Sequence, residues 1–187
     1  MAVRTGRAQL RSLYLLQHPF PEAADHAALS TSAARRVIGI GNPDRGDDAV
    51  GLRVIELLQR APPDNTHTQA AGGDLVKMLE SFADADLVIL VDAMQSGGKP
   101  GEIRRFDVTD EPLSADLSSF SSTHVFNLTE ALELGRALGQ LPGRLLVFGV
   151  EAANFDLGTP ISPEVESAAR ELDGLIRQEL DHHKSLS

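Results

Sequence analysis

Gly39-Ile-Gly-Asn-Pro-Asp-Arg-Gly-Asp-Asp48 is the stretch on which the reading of this chain turns. It begins inside the apolar, β-branched run Arg36-Val-Ile-Gly-Ile-Gly41, which reads as a buried strand closed by glycine. It ends where Val50, Leu52, Val54, Ile55, Leu57 and Leu58 start to recur at mostly helical spacing, a pattern that stops at Pro62-Pro63. A strand, a glycine turn and a helix in this order form the first unit of a nucleotide-type α/β fold. The dinucleotide fingerprint, however, needs a third glycine where Asp44 stands, and an acid closing the second strand, which here ends Gln69-Ala-Ala71. A phosphate also favours bare N–H groups at a helix start, and Asp47 and Asp48 would repel it there. The junction offers carboxylates, which suit a metal cation; no nucleotide is expected as a ligand.

Further along, Thr66–Ala71 reads as a weak second strand, and a helix on Leu75, Val76, Leu79 and Phe82 follows Gly72-Gly73 as far as about 85. Leu87–Val91 is the clearest strand, with Asp92 at its end. The turn cluster Gly97-Gly-Lys-Pro-Gly101 leads into a strand over 102–108. The short link between these two strands cannot hold a parallel crossover, so the 102–108 strand is expected to be an antiparallel edge. A Ser-rich loop over 114–123 precedes a helix from about His124 to Gln140, the buried strand Arg144–Val150, and a closing helix with Ser162 as cap and Pro163 in its first turn. The expected fold is α/β: a three-layer α/β/α arrangement with a mostly parallel twisted sheet and one antiparallel edge strand.

The chain has 187 residues, enough for one domain with a sizeable core. We expect a flexible N-terminal extension over 1–34, a single α/β domain over 35–181 and a short C-terminal tail over 182–187. Residues Leu13-Tyr-Leu-Leu16 are too few for a signal-peptide core, and nothing approaches the ~20 apolar residues of a membrane span. With 17 Lys+Arg against 27 Asp+Glu, the formal net charge is −10, which argues against nucleic acid as a partner. The chain has no cysteine, which excludes thiolate chemistry and fits a reducing compartment. A cytoplasmic location is expected.

In an open α/β sheet, ligands sit at the carboxyl ends of the strands where the winding reverses. If the second strand lies on one side of the first and the third on the other, the tips at Gly41 and Asp92 meet. Asp47 and Asp48 read equally well as residues that cap the helix and complement its dipole, and His124 as an ordinary helix-start residue. Taken together, Asp48, Asp92 and His124 on one rim make an O,O,N set for nickel, zinc or a similar divalent ion. No Gly-x-Ser-x-Gly elbow or His-Glu-x-x-His pair is present. His18, His26 and His67 stand alone, and His182-His183 falls at a frayed end.

Three blocks carry a family resemblance: Gly39-x-Gly-Asn-x-x-x-x-Asp-Asp48, Val91-Asp-Ala93, and Ser121-Ser-Thr-His124 before a Leu/Ala-rich helix. In order and spacing, over roughly 36–180, they resemble the nickel–iron hydrogenase maturation endopeptidases. The resemblance implies removal of a C-terminal extension from a hydrogenase large-subunit precursor once nickel is in place. It carries the metal-binding roles to Asp48, Asp92 and His124, which are also the catalytic candidates, and the site-shaping turn to Gly39, Gly41, Asn42 and Asp47. It further implies an aspartyl-type hydrolase in which nickel arrives with the precursor, although other divalent ions would suit the same ligands. A carboxylate such as Asp48, or water on the metal, would supply the attacking hydroxide. The alternative from another class is a non-cleaving nickel-binding accessory protein. The chain departs from the family pattern in its N-terminal extension, in Gly72-Gly73-Asp74, and in Asp rather than Glu at position 48.

Overall fold

The computed structural model describes residues 34–71, 75–82, 84–109 and 132–185. Strand β1 (Arg35–Ile40) leads through a 3-10 turn at Gly46–Ala49 into helix α1 (Val50–Arg60). Strand β2 (Thr66–Ala71), the short helix α2 (Leu75–Glu80), β3 (Leu87–Met94), β4 (Ile103–Asp107), β5 (Arg144–Glu151) and the long helix α3 (Pro163–Lys184) follow. Residues 132–137 are also helical.

The strands form one sheet in the order β2-β1-β3-β5-β4. Pairing is parallel from β2 through β5, and β4 runs antiparallel along β5. The expected winding reversal is present, since β2 and β3 flank β1 on opposite sides. The 102–108 segment is the antiparallel edge strand that its short connection requires.

Every residue of β3 is buried, as a central strand covered on both faces must be. Alternation along β3 divides the core. Leu87, Ile89, Val91 and Ala93 face a cluster with Val54, Ile55 and Leu58 of α1 and Val165, Ala169, Leu172 and Ile176 of α3. Val88, Leu90 and Met94 face the opposite cluster, with Met78, Leu79, Phe82 and Leu132. Each such aliphatic side chain, fully buried, contributes about 1.5–3 kcal/mol. The two clusters make the sheet the middle of three layers.

Several expected boundaries shift. Helix α1 begins at Val50, because Gly46–Ala49 forms a 3-10 turn first. Strand β3 runs on to Met94, so Asp92 stands within it. Helix α3 continues through His182 and His183 to Lys184, so these histidines are helical and the helix passes the expected domain end. Ser162 is the N-cap residue of α3, but its hydroxyl makes no capping bond. The N-terminal segment 1–33, the Ser-rich loop and the start of the helix expected at His124 lie outside the described residues.

Candidate active site

Close backbone approach at the β1 tip demands glycine three times. A Cβ on Gly39 would lie 2.1 Å from the Gly51 carbonyl oxygen, and one on Gly51 would lie 2.3 Å from that of Ile40 and 2.5 Å from that of Val91. Helix α1 therefore starts almost in contact with the main chain of β1 and β3. Gly41 has φ +149°, and a Cβ there would meet the Asp48 carbonyl oxygen at 1.9 Å. The turn that carries Asp48 thus folds back over the end of β1 and touches β3. Asn42 shapes the bend between them, its Oδ1 accepting the Asp44 N–H at 2.9 Å.

Asp48 and Asp92 accordingly lie at neighbouring carboxyl ends of adjacent strands. The register pairs Gly39 with Val91, which puts Asp92 one step further along beside Ile40, and pairs Asp92 with Gly149 on its other flank. The Asp92 Oδ1 accepts the N–H of Ala93 at 2.8 Å. An open rim was expected here, and the structure corrects that expectation. Asp48 is 1% and Asp92 0% exposed, because β3 extends past Asp92 and the 3-10 turn packs Asp48 against the sheet. His124, the third expected ligand, lies outside the described residues. Among the described residues no three His, Asp or Glu side chains gather closely enough to hold a metal ion. Asp48 and Asp92 are both carboxylates, a donor chemistry that suits a divalent ion.

Asp47 faces elsewhere. Its Oδ2 accepts the N–H groups of Ala153 at 2.7 Å and Asn154 at 3.1 Å, and its Oδ1 that of Ser162 at 2.6 Å. The side chain is fully buried, and it fastens the 3-10 turn to the β5–α3 loop instead of capping α1.

Glu151 was not anticipated. It closes the apolar strand β5 as Asp92 follows Leu87–Val91, a signal open to sequence reading. Its carboxylate accepts the N–H groups of Ser96, Gly97 and Gly98 and the Ser96 hydroxyl, at 2.8–3.1 Å. Burial pushes its pKa up, but the Ser96 hydroxyl and the three N–H donors outweigh that and hold it below the usual glutamate range. It organises the β3–β4 turn and is fully engaged there.

The comparisons with known proteins agree with this architecture. The family model described as "Hydrogenase maturation protease" matches residues 52–179. The hydrogenase expression/formation protein HupD of Thiocapsa roseopersicina is 29% identical over 133 residues, covering 70% of this chain and 60% of that protein. This chain therefore spans less than two thirds of that relative's length. The hydrogenase 2 maturation protease of Escherichia coli K12 is 28% identical over 134 residues, 70% of this chain and 80% of its own. Among solved structures, the hydrogenase maturating endopeptidase HybD from E. coli superposes with a TM-score of 0.70 at 26% identity, covering 79% of this chain and 92% of that one. With a family model matched over most of its length, the chain belongs to the hydrogenase maturation protease family.

Proposed function

We propose that this protein is an endopeptidase that removes the C-terminal extension of a nickel-loaded hydrogenase large-subunit precursor, with Asp48, Asp92 and His124 as its metal-recognition and catalytic set. What supports the reading is that the 3-10 turn carrying Asp48 and the strand carrying Asp92 lie at the winding reversal of a fold that this chain shares with a named maturation endopeptidase. Nickel in this reading is cargo of the substrate, and it would supply Lewis-acid polarisation when present. The enzyme's contribution is to position the precursor through the two carboxylates and His124, so that only loaded precursor docks productively. Asp48 then takes a proton from the attacking water, the water oxygen bonds to the scissile carbonyl carbon, and the C–N bond breaks as the leaving amine is protonated.

Because Asp48 and Asp92 are almost fully buried, docking must open this tip before the carboxylates meet the ion. No Ser or Cys acyl-enzyme enters the scheme.

The test is the mass of nickel-loaded precursor after incubation with the protein and with Asp92→Asn or His124→Ala. Loss of the tail with the wild type, and its retention with both folded variants, is expected. Normal processing by both variants would sink the site assignment. An unchanged precursor mass with stable co-elution would instead make the protein a nickel-binding accessory factor. Among the described residues, no helix is long and apolar enough to cross a membrane.

A further inference from the structure

We infer that the tip of the β5–α3 loop, with Leu157 at its centre, is the docking contact for the precursor, an inference that rests on the endopeptidase reading above. Leu157 is 78% exposed, more than any other large apolar side chain among the described residues. Isolated surface leucines are ordinary. What distinguishes this one is how firmly its loop is held. Asp47 grips both ends of the loop through the N–H groups of Ala153, Asn154 and Ser162. Within the loop, the Thr159 hydroxyl lies 2.9 Å from Asn154 Oδ1, which also accepts the Asp156 N–H.

Across the tip, the Gly158 N–H donates to the Asp44 carbonyl at 2.7 Å, the Gly46 N–H to that of Thr159 at 3.1 Å, and Arg45 Nε to that of Phe155 at 3.3 Å. Leu157 therefore projects from a braced backbone and loses little conformational freedom on binding, which favours an anchor.

The placement points to the same partner as the catalytic set. The loop leaves the carboxyl end of β5 and is bonded to the turn that holds Asp48, so both lie at one end of the sheet. Pro43, Asp44, Asp156, Gly158 and Pro160 are exposed alongside Leu157. The exposed surface here thus combines one large apolar side chain with two acidic residues, Asp44 and Asp156. Its complement is an apolar cleft with a basic side chain beside it, on the precursor close to the segment being cut.

The experiment uses the full-length protein and the nickel-loaded large-subunit precursor of its own cell. Affinity is measured by titration and cleavage by steady-state kinetics, for the wild type, Leu157→Asp, Leu157→Met and Leu134→Asp, the last altering an exposed leucine in the 132–137 helical segment. Leu157→Asp is expected to raise Kd and KM about tenfold with kcat and melting temperature unchanged, while the other two behave as wild type. If the wild type cleaves and Leu157→Asp has an unaltered KM, the docking inference falls alone. If the wild type binds without cleaving and Leu157→Asp weakens binding, docking stands and the endopeptidase reading falls. Absence of binding by the wild type overturns both.

Discussion

The Asp47 carboxylate accepts the backbone N–H of Ser162 at 2.6 Å, joining the turn before α1 to the N-cap residue of α3 across 115 positions of sequence. The same carboxylate holds Ala153 and Asn154, so one buried side chain ties the start of the first helix unit to the close of the last. Asp48, next to it, is buried in the same 3-10 turn.

Replacing Asp47 with Ala leaves three N–H groups without their carboxylate. Buried groups stranded in this way cost about 1–3 kcal/mol each, so a loss of roughly 2–4 kcal/mol is expected after partial rehydration. Urea unfolding measures it, with Asp47→Asn expected to lose less because its amide oxygen still accepts. Equal stability of wild type and Asp47→Ala would contradict the bonding described.

Gly51→Ala tests the approach of α1 to the sheet. The added Cβ would sit 2.3 Å from one carbonyl oxygen and 2.5 Å from another, both main-chain atoms that cannot swing aside. A destabilisation of about 2–3 kcal/mol is expected, lowering the melting temperature by roughly 4–12 °C for a chain of this size. Differential scanning calorimetry gives the answer, and an unaltered transition would mean that the helix stands further off.

The Arg53–Glu166 pair couples α1 to α3 through bonds of 2.8 and 2.9 Å. The Arg53 guanidinium, against modest desolvation and with help from Arg170, holds the Glu166 pKa down to about 2 from 4.5. A carboxyl lowered on folding stabilises the protein above its unfolded pKa and loses that contribution as pH falls through the folded value. Wild type should therefore exceed Glu166→Gln by about 1–3 kcal/mol at pH 6, a gap that closes between pH 4.5 and pH 2. Guanidinium unfolding at a series of pH values checks it, and a gap independent of pH would refute the assignment.

Glu151→Ala should release the turn after β3. Its carboxylate is the acceptor for Ser96, Gly97 and Gly98, so amide exchange at these three should accelerate at least tenfold while β3 remains protected. Exchange followed by NMR would show this; unchanged protection of the turn would assign its order to other contacts.

Much of the fold was legible because its causes are local. The run Leu87–Val91 announces a central strand through unbroken aliphatic burial, and the spacing of Val50, Val54, Ile55 and Leu58 announces a helix with one buried face. The short link before residue 102 forced an antiparallel return whatever the tertiary detail. The 3-10 turn at Gly46–Ala49 was not legible, because it is set by backbone bonds from Gly46 and Asp47 to Thr159 and Asn154, far away in sequence.

What the sequence by itself determined is therefore the order of elements, the mixed sheet and the pair of acids at its reversal, all consequences of side-chain periodicity and chain length. Which of Asp47 and Asp48 anchors a loop, whether Asp92 meets solvent, and what holds Leu157 out from the surface were decided only by the tertiary structure. Each depends on how strands and loops remote in sequence pack together, and a carboxylate's partners and burial are properties of that packing, invisible to local pattern.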